Sequence, residues 1–430
     1  MTESSSAADS SIQLIDNQKL LHSMLEPFKD YPPDDIDHHR FLAPLVLDKS
    51  KPSYKSIKGY VLFCMEGLSG NRGPKQRADL ERHLIYVLLN LSRSMYLRQW
   101  TLVALDKGAY ANDIWLKRYG LSQTYIKAVV EGLTEQGVIE RLPGKRYKKQ
   151  PLRTRIYPTA ELQGTLWKCF LETEQPIEPP YVTINQAEGG YDEVIAELDD
   201  DHPDLLGMTK INEFLKDHSW ACKAPVKLTY KHTPLQSGRL ITPYQNLPDK
   251  KVRLRINTLI DGEPICEVDF NANHIRMNLA VLAGEDAGET PYEDICELAG
   301  IEDRQLVKMF ITIAMGSSDR ADAAGACYRE GITKKRFEKV EEATLKRYPK
   351  LSLFSGFGIH AQNLEGQILK QVMLEGVDKG IVALPVHDAV AVTQGNEEWA
   401  KEAMLRAWFE HANSEGSVAK SRIKVDYPER

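Results

Sequence analysis

The 430 residues contain no Cys-x-x-Cys pair and no His spacing suited to zinc. The six cysteines (Cys64, Cys169, Cys222, Cys266, Cys296, Cys327) are scattered, which argues against a disulfide framework or structural zinc and for a reducing compartment. No apolar run reaches the roughly 18 residues that a membrane span needs. The opening MTESSSAADSS lacks the basic-then-apolar order of a signal peptide, so a soluble, cytoplasmic protein is expected. Neither charge dominates: 55 Lys and Arg against 61 Asp and Glu leave a net −6. That excludes a basic nucleic-acid coat and leaves any polyanion binding to local patches. There is no internal repeat. What remains is a composition of 42% hydrophobic and 27% charged residues, that of a globular chain with real cores, in a length that predicts two or three domains.

Residues 1–12 are Ser/Ala/Asp-rich and read as a disordered tail. A mixed, partly helical segment follows over 13–80, broken by Pro32-Pro33 and by Gly67, Gly70 and Gly73. Over 81–160 the pattern is a compact helical module ending in a hairpin. Ser122 is a natural N-cap, Ile126, Val129, Val130 and Leu133 recur at helical spacing, and Gly137 is the stop. A strand over 138–142, a Pro143-Gly144 turn and a return strand near 154–157 come next. Helix, strand, basic loop and strand is the order of a winged helix-turn-helix. Its wing carries Arg141, Lys145, Arg146, Lys148, Lys149, Arg153 and Arg155 without an acid among them, which suits phosphate contacts. Residues 188–204 hold Glu188, Asp192, Glu193, Glu197, Asp199, Asp200, Asp201 and Asp204, and read as an exposed linker or solvated helix face. From about 205 the chain reads as one α+β domain, with strands near 252–270 and 381–393.

Two of those strands carry an aspartate each. Cys266-Glu267-Val268-Asp269-Phe270 and Leu384-Pro385-Val386-His387-Asp388-Ala389-Val390 are apolar runs of strand length that an Asp closes or interrupts. On neighbouring strands the two carboxylates could share a pair of Mg²⁺ ions and support phosphoryl transfer.

Further segments stand around them in a fixed order: Ser237-Gly238-Arg239-Leu240, Tyr244-Gln245-Asn246-Leu247-Pro248 with Arg253 and Arg255, Asp303-Arg304 through Gly316-Ser317, and Asn363-Leu364-Glu365-Gly366-Gln367. Over about residues 225–412 this resembles the palm and fingers of family A (DNA polymerase I-like) nucleic-acid polymerases, which share their palm with phage-type single-subunit RNA polymerases. The resemblance implies an α+β right-hand polymerase palm and fingers over 233–430, a reduced thumb-like region over 161–232, and the winged helix-turn-helix domain before them. Asp269 and Asp388 resemble the metal-ligating carboxylates, with the Phe270 carbonyl completing one shell. The cofactor implied is a pair of Mg²⁺ ions, with Mn²⁺ as a substitute. Arg304 and Lys308, four apart on one helix face, match the residues that neutralise a triphosphate. His387 corresponds to a residue at the primer end, Arg239 to one near the primer terminus and minor groove, and Arg276 to the last position of the first aspartate motif. Met315 and Gly316 lie in the fingers helix, and Glu365 in the segment that contacts template.

The chain departs from the family in three places. His274 stands where DNA-synthesising members carry Glu, Met315 where an aromatic precedes the glycine, and Ala389 where a carboxylate often follows His-Asp. A bulky imidazole at 274 would crowd a ribose 2′-OH and favour dNTPs. No paired-carboxylate exonuclease pattern precedes residue 180. The expected activity is template-directed nucleotidyl transfer on a DNA primer-template, without proofreading, in replication of a phage or mobile element. A non-catalytic DNA-binding replication initiator or regulator is the alternative, and a primase or RNA polymerase using the same site is a further one.

Overall fold

The computed structural model describes residues 40–97, 99–105, 120–147, 150–167, 169–185, 193–196, 198–249, 253–413 and 416–428. The chain is mixed α/β and passes back and forth between two compact units. One comprises the residues to Glu178 with His218–Pro225 and Pro243–Pro264; the other comprises Pro179–Asp217, Val226–Thr242 and Ile265–Arg430. No helix among the described residues is long and apolar enough to cross a membrane.

In the first unit a four-stranded sheet of order β1-β2-β6-β3 is built from β1 (Arg40–Phe41), β2 (Thr101–Val103), β3 (Ile139–Leu142) and β6 (Thr154–Pro158). The helices α1 (Pro52–Leu68), α2 (Pro74–Leu97) and α3 (Gln123–Glu135) belong to the same unit. Helix α3 forms where the sequence places it. The Ser122 hydroxyl accepts from the Tyr125 N–H at 3.4 Å, and Ile126, Val129, Val130 and Leu133 are fully buried. Each such side chain removed from water is worth about 1.5–3 kcal/mol. Gly137 follows at φ 71°, the left-handed conformation that ends a helix cheaply. The buried His83 of α2 fixes the start of α3, its Nε2 accepting from the Ser122 N–H at 2.9 Å.

The hairpin differs from the expectation. Pro143-Gly144 does not turn the chain directly into the return strand; it separates β3 from a second ribbon, β4 (Lys145–Tyr147) against β5 (Gln150–Leu152). Tyr147 pairs with Gln150, and Lys148 and Lys149, expected to bind nucleic acid, lie outside the described residues. Arg155 is not at the surface as expected. It is 2% exposed, because β6 runs through the middle of the sheet and sets it between Leu102 of β2 and Leu142 of β3. Arg141 and Arg153 are half-buried. Short helices α4 (Ala160–Leu166) and α5 (Cys169–Glu172) complete this stretch.

In the second unit β7 (Val182–Asn185) and β8 (Glu193–Ile195) lead to α6 (Pro203–Leu215), β9 (Lys227–Lys231) and β10 (Thr233–Ile241), in a sheet of order β10-β9-β7-β8. The chain then crosses to the first unit, where β11 (Leu259–Ile260) meets the first residues of β12 (Glu263–Phe270) across Asp261-Gly262. Both turn residues have positive φ, 50° and 80°, as a tight Asp-Gly hairpin requires. From Ile265 onward β12 belongs to the second unit. Its helices are α7 (Asn273–Ala283), α8 (Pro291–Ala299), α9 (Arg304–Gly316), α10 (Arg320–Arg329), α11 (Lys334–Arg347), α12 (Phe357–Lys379) and α13 (Glu397–Ala412). Strands β13 (Leu384–Val386), β14 (Ala389–Thr393) and β15 (Ile423–Asp426) join β12 in the all-antiparallel order β13-β14-β12-β15.

Helix α12 organises this unit by close backbone approaches. A Cβ on Gly366 would lie 1.7 Å from the Gly238 carbonyl oxygen of β10, and one on Gly358 would lie 2.9 Å from Gly316 Cα at the end of α9. Only glycine lets these segments come so near. A second anchor is ionic: Asp204 of α6 accepts from Lys370 and Gln367 of α12 and from the Tyr230 hydroxyl of β9. Asp204, expected at the end of an exposed acidic stretch, is therefore buried, while Asp199, Asp200 and Asp201 are exposed.

Candidate active site

Strand β12 is the centre of its sheet, and alternation along it decides what the site receives. Cys266, Val268 and Phe270 are buried on one face; Asp269 projects with Glu267 from the other. Asp269 lies directly opposite Ala389 of β14 and Lys424 of β15. On the far side of β14, Val386 pairs with Ala389, so His387 and Asp388 are the two residues of a tight hairpin turn. The register thus brings Asp388 next to the residue facing Asp269.

Both acid-bearing segments hold a non-glycine residue in the left-handed region. His387, just before Asp388, has φ 57°, and Ala272, at the start of α7, has φ 54°. Each such residue costs about 1–3 kcal/mol and persists only where the surroundings hold it, a pattern found at functional sites. Ala272 turns the chain from β12 into α7, which delivers Asn273 and His274 to the same place.

There they meet Glu365 of α12. The Asn273 amide donates to Glu365 Oε1 at 2.9 Å, and His274 Nε2 lies 3.1 Å from the same oxygen. Behind them the Trp408 indole N–H donates to Asn273 Oδ1 at 3.0 Å, fixing which way the amide points. Burial opposes charge on the His274 ring, but the bond to Glu365 and the fields of Glu365 and Asp388 outweigh it and raise its pKa. The Asp388 carboxyl is pushed up to about 7, by burial first and then by the charges of Glu365 and Asp269. The charges of two other acids thus reach Asp388, and its carboxyl resists ionisation.

Asp269 is in a different state. Its Oδ2 pairs with the Lys424 ammonium at 2.7 Å, while Oδ1 is buried without a hydrogen-bond partner among the described residues. An orphaned carboxylate oxygen beside a repelling acid is what a hard cation would satisfy. No three His, Cys, Asp or Glu side chains converge as a metal-binding group among the described residues. Asp269 and Asp388 fit a cation of the Mg²⁺ kind, which takes one or two carboxylates and shares the rest of its shell with phosphates and water.

Helix α9 supplies positive charge. The Asp303 side chain caps it through the Leu306 N–H at 3.1 Å, and Leu306, Val307, Phe310, Ile311, Ala314 and Met315 form its buried stripe. Arg304 and the exposed Lys308 stand on another face. Arg304 pairs with Glu293 and lies 5.0 Å over the Tyr292 ring. The charge of Lys308 is felt at His274, and that of Arg304 at Lys424.

Of the residues named from sequence, the fold therefore gathers Asp269, Asp388, His387, His274 and Glu365, with Arg304 and Lys308 within electrostatic reach, while the Phe270 side chain is buried on the opposite face of β12. Two others sit differently. Arg276 is 1% exposed; its guanidinium donates to the carbonyls of Asn271, Gly288 and Glu289 at 2.8, 2.7 and 3.1 Å. That set of bonds makes it a staple for the turn after Asp269. Met315, expected beside a base pair, is 1% exposed within the core stripe of α9. Gly316 is exposed, and Arg239 is exposed on β10 opposite Thr229. Lys424, Asn273 and Trp408 were not singled out from the sequence. Lys424 carries only the alternation of Ile423-Lys424-Val425-Asp426, which announces a strand and not its partner.

No family model matches this chain, and no curated protein matches it. Among solved structures it is similar to the POL domain of Pol1 from M. smegmatis in complex with DNA primer-template and dNTP. That likeness has 11% identity and a TM-score of 0.34, over 87% of this chain and 69% of the other, too distant to assign the fold.

Proposed function

We propose that the second unit is the palm and fingers of a template-directed nucleic-acid polymerase of the family A kind, working on a DNA primer-template with dNTPs and two Mg²⁺ ions. The observation that carries this reading is that Asp269 of β12 faces Ala389 of β14 and so has Asp388, in the turn before it, as its neighbour, the first with an orphaned buried oxygen and the second with a strongly raised pKa. Ions held by Asp269, Asp388 and the Phe270 carbonyl would supply the charge that activates the primer 3′-OH and stabilises the leaving pyrophosphate. The chain's own residues do the rest. Arg304 and Lys308 face the triphosphate, His387 and Arg239 position the primer, and His274, braced by Glu365, crowds the sugar 2′ position. Arg276 holds the turn that aims Asp269. The helix α3 and the basic strands after it form a winged-helix module, in which Arg141, Lys145, Arg146, Lys148, Lys149 and Arg153 take duplex phosphates.

The test is extension of a labelled primer–template with dNTPs or NTPs and Mg²⁺. Asp269→Ala and Asp388→Ala are each expected to lower the rate roughly 10²–10⁴-fold. Wild-type-like extension by either variant would refute the assignment. Extension with NTPs alone would move it to a primase or RNA polymerase, and duplex binding without any product to an initiator.

A further inference from the structure

Lys424 is tied to Asp269 by the backbone. The two residues are directly opposed in the β12–β15 register, so their Cβ atoms are neighbours whatever rotamers they choose. The ammonium lies 2.7 Å from Asp269 Oδ2, yet the lysine side chain is 64% exposed and the aspartate's 24%. Asp388 is near enough for its charge to be felt at the ammonium. Arg304 is near enough for its charge to be felt there too. Lys424 is therefore within electrostatic reach of both the acids and Arg304, on a flexible stem that is largely in solvent.

We infer that Lys424 is a resident cation of the carboxylate pair, which holds Asp269 until a divalent ion takes that carboxylate and then turns to the nucleotide's phosphates. This rests on the reading of Asp269 as a metal ligand. Most buried side-chain acceptors are hydrogen-bonded, whereas here Oδ1 is buried and finds no partner among the described residues. Asp269 stands next to the residue that follows Asp388, and an ammonium at Oδ2 offsets part of the repulsion between those two carboxylates. A divalent ion at Asp269 supplies more charge and makes the ammonium redundant there. A released lysine next to Arg304 is then a point charge suited to phosphate oxygens, which lysine binds without the fixed geometry that arginine demands.

The experiment is titration of the full-length protein with Mn²⁺, free Mn²⁺ being read by electron paramagnetic resonance, for wild type, Lys424→Met and Lys424→Arg. Without nucleotide, Lys424→Met is expected to bind Mn²⁺ roughly three- to tenfold more tightly, because a competing cation is gone. With a non-hydrolysable dNTP analogue present, the same variant is expected to bind the analogue more weakly, and Lys424→Arg to stay near wild type in both measurements. Unchanged or weaker Mn²⁺ binding by Lys424→Met, at an unfolding temperature like that of wild type, overturns the inference. If the Met variant does not fold, Lys424→Gln takes its place under the same criterion. The readout separates the two readings. Tighter Mn²⁺ binding in a protein that extends no primer counts against the polymerase alone, and unaltered Mn²⁺ binding with intact extension counts against Lys424 alone. Absence of Mn²⁺ binding by wild type overturns both.

Discussion

Two lysine–aspartate pairs occupy the second unit, alike in chemistry and opposite in what surrounds them. Lys370 and Asp204 are 11% and 9% exposed, and Asp204 also takes bonds from Tyr230 and Gln367. Lys424 and Asp269 are 64% and 24% exposed, and one oxygen of Asp269 takes none. The first pair is closed: its charges are buried, matched and hydrogen-bonded, and it fixes α6 and β9 on α12. The second is open, with electrostatic capacity left over. Leftover capacity beside a shifted carboxyl is the mark of a site that waits for a ligand. Asp204 shows the same contrast in acidity. Burial raises its pKa, but the bonds from Lys370 and Tyr230 prevail and lower it, whereas nothing in the protein prevails against the rise at Asp388.

The largest expected effect breaks the closed pair. Lys370→Met leaves the Asp204 carboxylate buried without its counter-charge and should cost about 3–5 kcal/mol of stability. Lys424→Met, at an exposed position, should change stability by no more than about 1 kcal/mol. Urea unfolding of both variants decides the matter, and equal losses would erase the distinction between closed and open.

A smaller effect should depend on pH. The Asp388 carboxyl titrates near 7 in the folded protein, against the model-compound value of 3.8. Between those limits the folded chain holds a proton that the unfolded chain has released, so this group's contribution to stability is full below the lower limit. It declines as pH rises through the window and is lost above 7. Asp388→Asn carries no such charge, so with divalent ions chelated it should gain on wild type as pH rises. The gain should be about 1 kcal/mol at pH 4.5 and about 4 kcal/mol at pH 8. Equal differences at the two pH values would mean that burial and the charges of Glu365 and Asp269 do not raise the Asp388 carboxyl.

How much of this was legible in the sequence depends on the range of the interaction. Helix α3 was legible to its cap and stop, because Ser122, the apolar spacing and Gly137 act within one turn of their own chain. The strands carrying Asp269 and Asp388 were legible as apolar runs, and the resemblance set them side by side. The burial of Arg276, Met315 and Arg155 was not. A charged or flexible side chain does not announce that its sheet position or its carbonyl neighbours will enclose it. Gly238 and Gly366 were visible as members of two segments, but their reason is mutual: each is glycine because the other's backbone is there. Lys424 was missed for a similar cause. Its meaning lies in the register between β12 and β15, whose residues are separated by most of the unit.

The smallest expected effect concerns how firmly the open site is braced. Trp408 is 1% exposed, and its indole N–H fixes the Asn273 amide, which donates in turn to Glu365. Trp408→Phe keeps an aromatic ring in the core and removes that donor, leaving Asn273 Oδ1 buried and unpaired at a cost of about 1–2 kcal/mol. The amide is then free to flip, and Glu365 keeps only His274 as a fixed partner. Since Glu365 is what raises the His274 pKa, a looser carboxylate should let that pKa fall back toward the ordinary histidine range. The His274 ring titration, followed by NMR in wild type and Trp408→Phe, reads this directly. A midpoint that does not move would mean that His274 and Glu365 hold each other without help from behind, and that the open site is braced from within.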